Sequence, residues 1–141
     1  MVCAKIAEAT RGLAPETVAG PTTGGIILAY EVARQLGLRG IFAERAAEGG
    51  RAFQRDFRLR AGERVLVVDD VLTSGASVRD TLDAVAATGA DCVGVAVLVD
   101  RSGGAVRFGE LPFFAATEFA LQTYEPGDCP LCRDGVPLTV T

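Results

Sequence analysis

The chain has 141 residues, 49% of them hydrophobic and 23% charged, which is the make-up of one globular domain of ordinary polarity. Its 14 lysines and arginines against 18 aspartates and glutamates leave a net charge of −4, which argues against a protein that works mainly by non-specific attraction to nucleic acid phosphates. Histidine is absent, so His-based nucleophile systems, His-ligated metal sites and an imidazole general base are all excluded.

In chain order, Val2, Ile6, Ala9 and Leu13 recur at helical spacing and predict a short amphipathic helix over Met1 to Leu13. Lys5, Glu8 and Arg11 interrupt it, so it does not read as a secretory signal. Pro15 ends it, and a short strand is expected over Thr17 to Gly20. A tight loop, Pro21-Thr22-Thr23-Gly24-Gly25, leads into a helix from Ile26 to Leu36 that Gly37 stops. A second short strand covers Gly40 to Ala43, and the polar stretch 44–52 around Gly49-Gly50 is expected to be a flexible loop. Phe53, Phe57 and Leu59 suggest a hairpin arm that turns at Ala61-Gly62-Glu63.

The clearest element is the buried strand Arg64 to Val68, which runs into Asp69-Asp70. A loop over Val71 to Ala76 and a helix over Ser77 to Thr88 follow, with Val78, Leu82 and Val85 on one face and Gly89 as its stop. Cys92 to Val99 is a further buried strand, and Phe113 to Phe119 another, before a turn-rich tail. At eight residues, Cys92 to Val99 is the longest apolar run, far short of the ~20 a membrane span requires. Strands that are continuous apolar runs and alternate with helices imply an α/β fold, a mostly parallel central sheet flanked by helices, in a single domain over 1–141.

Of the four cysteines only Cys129 and Cys132 form a unit, Cys-Pro-Leu-Cys. A four-cysteine zinc site shows two such pairs. A structural turn, half of a metal knuckle shared between subunits and a labile disulfide all remain open. Cys92 reads as a small core residue.

The chemistry concentrates in Val67 to Ser77, where two acids precede Val71, Leu72, Thr73, Ser74, Gly75, Ala76 and Ser77. Open α/β sheets bind ligands at the carboxyl ends of strands. Adjacent residues of a strand point to opposite faces, so one acid can meet a ligand while the other braces the loop. Small residues, hydroxyls and a glycine at the start of a helix make a phosphate site from free amides and the helix dipole. Together these suit a phosphorylated sugar. The plainer reading is an ordinary strand-to-helix turn with Ser77 as helix cap and the acids solvated. No Gly-Lys-Ser/Thr occurs, which excludes a Walker loop.

That run resembles the phosphoribosyl-diphosphate signature of type I phosphoribosyltransferases. Gly20 to Ile26 with Ala29 to Ala33 resembles the diphosphate loop and helix of the orotate phosphoribosyltransferase branch. Val99 to Gly104 resembles the stretch in which that branch carries an arginine for the orotate carboxylate, and the Cys-Pro-Leu-Cys-Arg tail occurs in a bacterial subset. The resemblance implies a cytoplasmic, homodimeric enzyme that uses Mg²⁺ and makes orotidine monophosphate and diphosphate from orotate and phosphoribosyl diphosphate. It implies catalytic roles for Asp69, Asp70 and Arg45. Phosphoribosyl diphosphate would lie on Thr22, Thr23, Gly24, Gly25 and the 69–77 run, and orotate on Thr73 and Arg101. Magnesium would be held mainly through the substrate.

Two departures accompany it. The family's N-terminal hood over the base is largely missing from this chain, and the catalytic loop offers only Arg45 and Arg51 where the family commonly has lysines and a histidine. A phosphoribosyltransferase for purine or xanthine, or a regulator that binds the nucleotide without turnover, are the competing readings.

Overall fold

The apolar run that starts at Arg64 becomes the centre of a six-stranded sheet in the computed structural model, which describes residues 2–119, 121, 124–125 and 127–137. The elements are α1 (Val2–Thr10), β1 (Thr17–Pro21), α2 (Gly24–Leu36), β2 (Arg39–Arg45), β3 (Arg51–Phe53), β4 (Arg64–Leu72), α3 (Ala76–Ala87), β5 (Asp91–Asp100), β6 (Phe113–Glu118) and α4 (Pro130–Arg133). The strand order is β3-β2-β1-β4-β5-β6, parallel throughout except for β3, which runs back along β2.

Strand alternation divides the interior in two. Val65 and Val67 of β4, with Ala19, Val95 and Val97, face α3 and meet Val78 and Val85. Leu66 and Val68, with Val18 and Ala96, face α1 and α2 and meet Ile6, Leu28, Ala29 and Val32. Both faces of the sheet are covered, so its strands read as unbroken apolar runs.

Several boundaries differ from expectation. The first helix stops at Thr10, whose hydroxyl donates to the Ile6 carbonyl at 2.7 Å, and a 3-10 turn carries the chain to Leu13. Its inward stripe is Ile6, Ala7 and Thr10, while Val2 and Ala9 face solvent; Met1 lies outside the described residues. The 44–52 stretch is not loop throughout, because Glu44 and Arg45 pair with Ala52 and Arg51 in a β-hairpin and only 46–50 form its turn. Phe57 and Leu59 lie in no strand. They fold back on the core, Phe57 meeting Phe42 edge-on at 5.0 Å. β4 runs on through both acids to Leu72, which shortens the following loop to Thr73–Gly75, and β6 ends at Glu118 rather than Phe119.

The starts of β1, β2 and β4 are tied together by ions. Glu63 accepts hydrogen bonds from the Thr17 hydroxyl (2.6 Å), the Arg60 amide (2.9 Å) and Arg39 (2.8 Å). Burial alone would raise its pKa, but these donors hold it down at about 2. The 320 Å³ depression there is lined by Glu16, Thr17, Arg39, Arg58, Arg60 and Glu63, and both Arg39 and Arg60 are paired with acids.

Candidate active site

The sheet opens at one place. β1 and β4 pair only from Thr17↔Val65 to Ala19↔Val67, whereas β1 continues along β2 to Pro21↔Ala43 and β4 along β5 to Leu72↔Asp100. Beyond Ala19 and Val67 a crevice separates the two half-sheets. It lies where the strand order reverses, the position at which open α/β sheets take ligands.

Asp69 and Asp70 stand on the β4 side of this crevice. The Asp70 amide donates to Asp69 Oδ1 at 2.9 Å and the Val71 amide to Asp70 Oδ1 at 2.8 Å. Asp70 points to the 22–25 loop, where a β-carbon on Gly24 would collide with its carboxylate, so only glycine lets that loop approach. Asp69 is buried and lines a concavity of about 50 Å³ together with Val71 to Val78. Burial pushes its pKa up to about 7. The Asp70 amide opposes this, the Asp70 carboxylate adds to it, and Arg51 opposes it more weakly.

Thr73, Ser74 and Gly75 then turn the chain into α3. Gly75 takes φ +80° and its carbonyl accepts the Arg79 amide at 2.9 Å, while Arg79 Nη1 donates to the Ser74 carbonyl at 2.7 Å. The helix starts at Ala76 with Gly75 in the cap position, so Ser77 is inside the first turn and is not the cap. The amides of a first turn have no partners within the helix, and the residues that carry them, Ala76, Ser77 and Val78, help to line the concavity.

A wider pocket of about 410 Å³ adjoins it, lined by Thr73, Ser74, Arg101, Ser102, Ala105, Val106 and Leu121. Thr73 and Ser74 belong to both hollows. The Arg101 amide donates to the Leu72 carbonyl at 2.8 Å, which fastens the turn after β5 to the end of β4, and its side chain is exposed at the pocket.

On the other side of the crevice the Thr22 amide donates to the Ala43 carbonyl at 3.0 Å, and the Thr22–Thr23 peptide is cis. Arg51 forks onto this loop: Nη1 donates to Thr22 Oγ1 (3.0 Å) and the Ala43 carbonyl (3.2 Å), and Nη2 to the Thr22 carbonyl (3.1 Å). Arg45, its register partner, is exposed at the end of β2 and makes no such hydrogen bond. Of the two loop cations it is Arg51, singled out in the sequence only as a charge, that braces the loop. The signal was available in the hairpin register, which only Gly49-Gly50 hinted at.

Among the described residues no group of three or more acids and cysteines is arranged to hold a metal ion. Cys129 caps α4, and hydrogen bonds from the Cys132 amide, the Cys132 thiol and the Leu131 amide lower its pKa, whereas burial raises that of Cys92. No helix of the described residues is long and apolar enough to cross a membrane.

A phosphoribosyl transferase domain family model matches residues 1–112. The orotate phosphoribosyltransferase of Caldanaerobacter subterraneus subsp. tengcongensis is 46% identical over 134 residues, covering 95% of this chain and 70% of the relative. The chain spans 63% of the length of the orotate phosphoribosyltransferase of Heliobacterium modesticaldum and 72% of that of Carboxydothermus hydrogenoformans, to which it is 49% and 45% identical. Among solved structures, the orotate phosphoribosyltransferase of Mycobacterium tuberculosis H37Rv superposes with a TM-score of 0.70 at 25% identity, over 84% of this chain and 71% of that one. An adenine phosphoribosyltransferase from Thermoanaerobacter pseudethanolicus gives 0.74 at 18% identity, over 84% and 78%. The latter speaks to fold alone.

Proposed function

The chain belongs to the phosphoribosyl transferase family, on its orotate phosphoribosyltransferase branch, and we propose that it binds phosphoribosyl diphosphate and orotate in the β1–β4 crevice and transfers the phosphoribosyl group between them. The products are orotidine monophosphate and diphosphate, an activity of pyrimidine nucleotide synthesis in the cytoplasm. The observation that carries this reading is the pair of adjoining hollows that share Thr73 and Ser74, one lined by Asp69 and the start of α3, the other walled by Arg101. A phosphate group suits the first and a flat anionic base the second.

The sugar's 5′-phosphate rests on the amides of Thr73 to Ser77, and Asp69 and Asp70 accept from the ribose hydroxyls. The diphosphate lies along Thr22, Thr23, Gly24 and Gly25, whose position Arg51 maintains, with Arg45 free to reach outward. Breaking the ribose C1–oxygen bond builds positive charge on the sugar and negative charge on the departing diphosphate, so positioning and electrostatics are the protein's share. The donor set fits Mg²⁺: two hard carboxylates and no full cage suit an ion that is held largely by substrate phosphates. When bound, the ion neutralises charge on the diphosphate. Ile27 and Tyr30, exposed at 77% and 65% on the outer side of α2, support a homodimer.

Arg101 is assigned the orotate carboxylate, through a charge-assisted fork that a purine cannot return. Truncating Arg101→Ala is expected to weaken orotate binding by roughly 2–5 kcal/mol. Phosphoribosyl diphosphate, anchored in other loops, should change little. Calorimetric titration of both ligands decides it. Equal losses would mean general damage, and an unchanged orotate affinity would remove the basis for an orotate site.

A further inference from the structure

Asp100, the last residue of β5, is fully buried, yet it is a carboxylate. Its Oδ1 accepts the Ser102 amide at 2.7 Å, while Oδ2 is buried and makes no hydrogen bond. The nearest cation, Arg107 Nη1, stands 3.8 Å away and is half exposed. Such a group is expensive to bury. The strand does not need it for pairing, since the Asp100 carbonyl already accepts the Phe119 amide and the Arg101 amide already reaches the Leu72 carbonyl, both at 2.8 Å.

What the carboxylate alone does is fix Ser102, two residues on. Ser102, once held by its amide, accepts the Val106 amide on Oγ (3.2 Å) and the Ala105 amide on its carbonyl (3.3 Å). Ser102, Ala105 and Val106 form the pocket wall beside Arg101. The carboxylate therefore anchors the residue on which the rest of the turn is hydrogen-bonded.

We propose that Asp100 is the positioning residue for base recognition: its buried carboxylate holds the 101–106 turn so that Arg101 is presented to the wider pocket. This rests on the reading of that pocket as the orotate site. Asp100 does not touch substrate and acts through Arg101.

The test is a mutant cycle read by calorimetry with orotate and with phosphoribosyl diphosphate. Asp100→Ala should lose orotate affinity by at least about tenfold while phosphoribosyl diphosphate stays within about threefold. Asp100→Asn, which keeps an acceptor for the Ser102 amide, should recover most of the loss. In the Arg101→Ala background, Asp100→Ala should cost nothing further. If Asp100→Ala does not fold, Asp100→Leu, which fills the space without an acceptor, takes its place in the same cycle. Equal losses for both ligands, an Asn variant no better than Ala, or a full additional loss in the Arg101→Ala background would each overturn the proposal. An Arg101→Ala protein with unchanged orotate affinity would instead overturn the site assignment beneath it.

Discussion

Replacing Asp69 by asparagine should stabilise the ligand-free protein at alkaline pH while damaging its function. Asp69 is only 6% exposed, and burial raises its carboxyl from an ordinary 3.8 to about 7. A displacement of that size corresponds to about 4 kcal/mol of preference for the protonated form in the folded state, taken as an upper bound. Below pH 3.8 both folded and unfolded chains hold the proton, and the ionised group costs nothing. As pH rises from there to about 7 the unfolded chain ionises first, so stability falls, and above 7 the full penalty applies. Asparagine retains the acceptor for the Asp70 amide and never ionises. Urea unfolding of both proteins should therefore show the variant gaining about 2–3 kcal/mol more at pH 8 than at pH 5. The same variant should bind phosphoribosyl diphosphate and Mg²⁺ more weakly than the parent, the usual trade of stability for activity. A gain independent of pH, or a variant less stable at pH 8, would refute the reasoning.

Gly75→Val should abolish phosphoribosyl diphosphate binding in a folded protein, because φ is +80° and the new β-carbon would sit 2.8 Å from Val106 Cγ1 and 3.0 Å from Arg79 Nη1; calorimetry against the parent checks it. Arg51→Ala should weaken phosphoribosyl diphosphate binding about tenfold or more by releasing the Thr22 loop, whereas Arg45→Ala should leave that affinity within about threefold. An iodoacetamide time course resolved by peptide mass should label Cys129 ahead of Cys92, since the former has a lowered pKa and the latter, on β5, has a raised one and is packed against the core.

The architecture was legible because its strands are buried on both sides: Val65 to Val68 and Val95 to Val97 leave no polar alternation to misread. The site was legible where chemistry needs particular residues in a fixed run, as at Asp69 to Ser77. Boundaries failed where tertiary contacts decide them. Nothing local in Val2 to Leu13 announces that Thr10 will bond back to Ile6, and in 44–52 Gly49-Gly50 hints at a turn without fixing that Arg51 pairs across from Arg45. The role of Arg51 was hidden for the same reason, as its partner Thr22 lies 29 residues away. Nothing in the run Val99 to Gly104 singles out Asp100; its complete burial in the fold does.

The opening between β1 and β4 divides the site by the kind of atom that lines it. On the side proposed for the sugar phosphate, the strand ends and the first turn of α3 offer main-chain amides beside the Asp69 carboxylate, a set that depends mostly on the path of the backbone. On the side proposed for the base, the wall is made by Arg101, Ser102, Ala105 and Val106, carried on a short turn outside the sheet. A lineage with this fold can exchange one nucleobase for another by rewriting a handful of codons after β5, while the half that holds the activated sugar is inherited with the backbone itself.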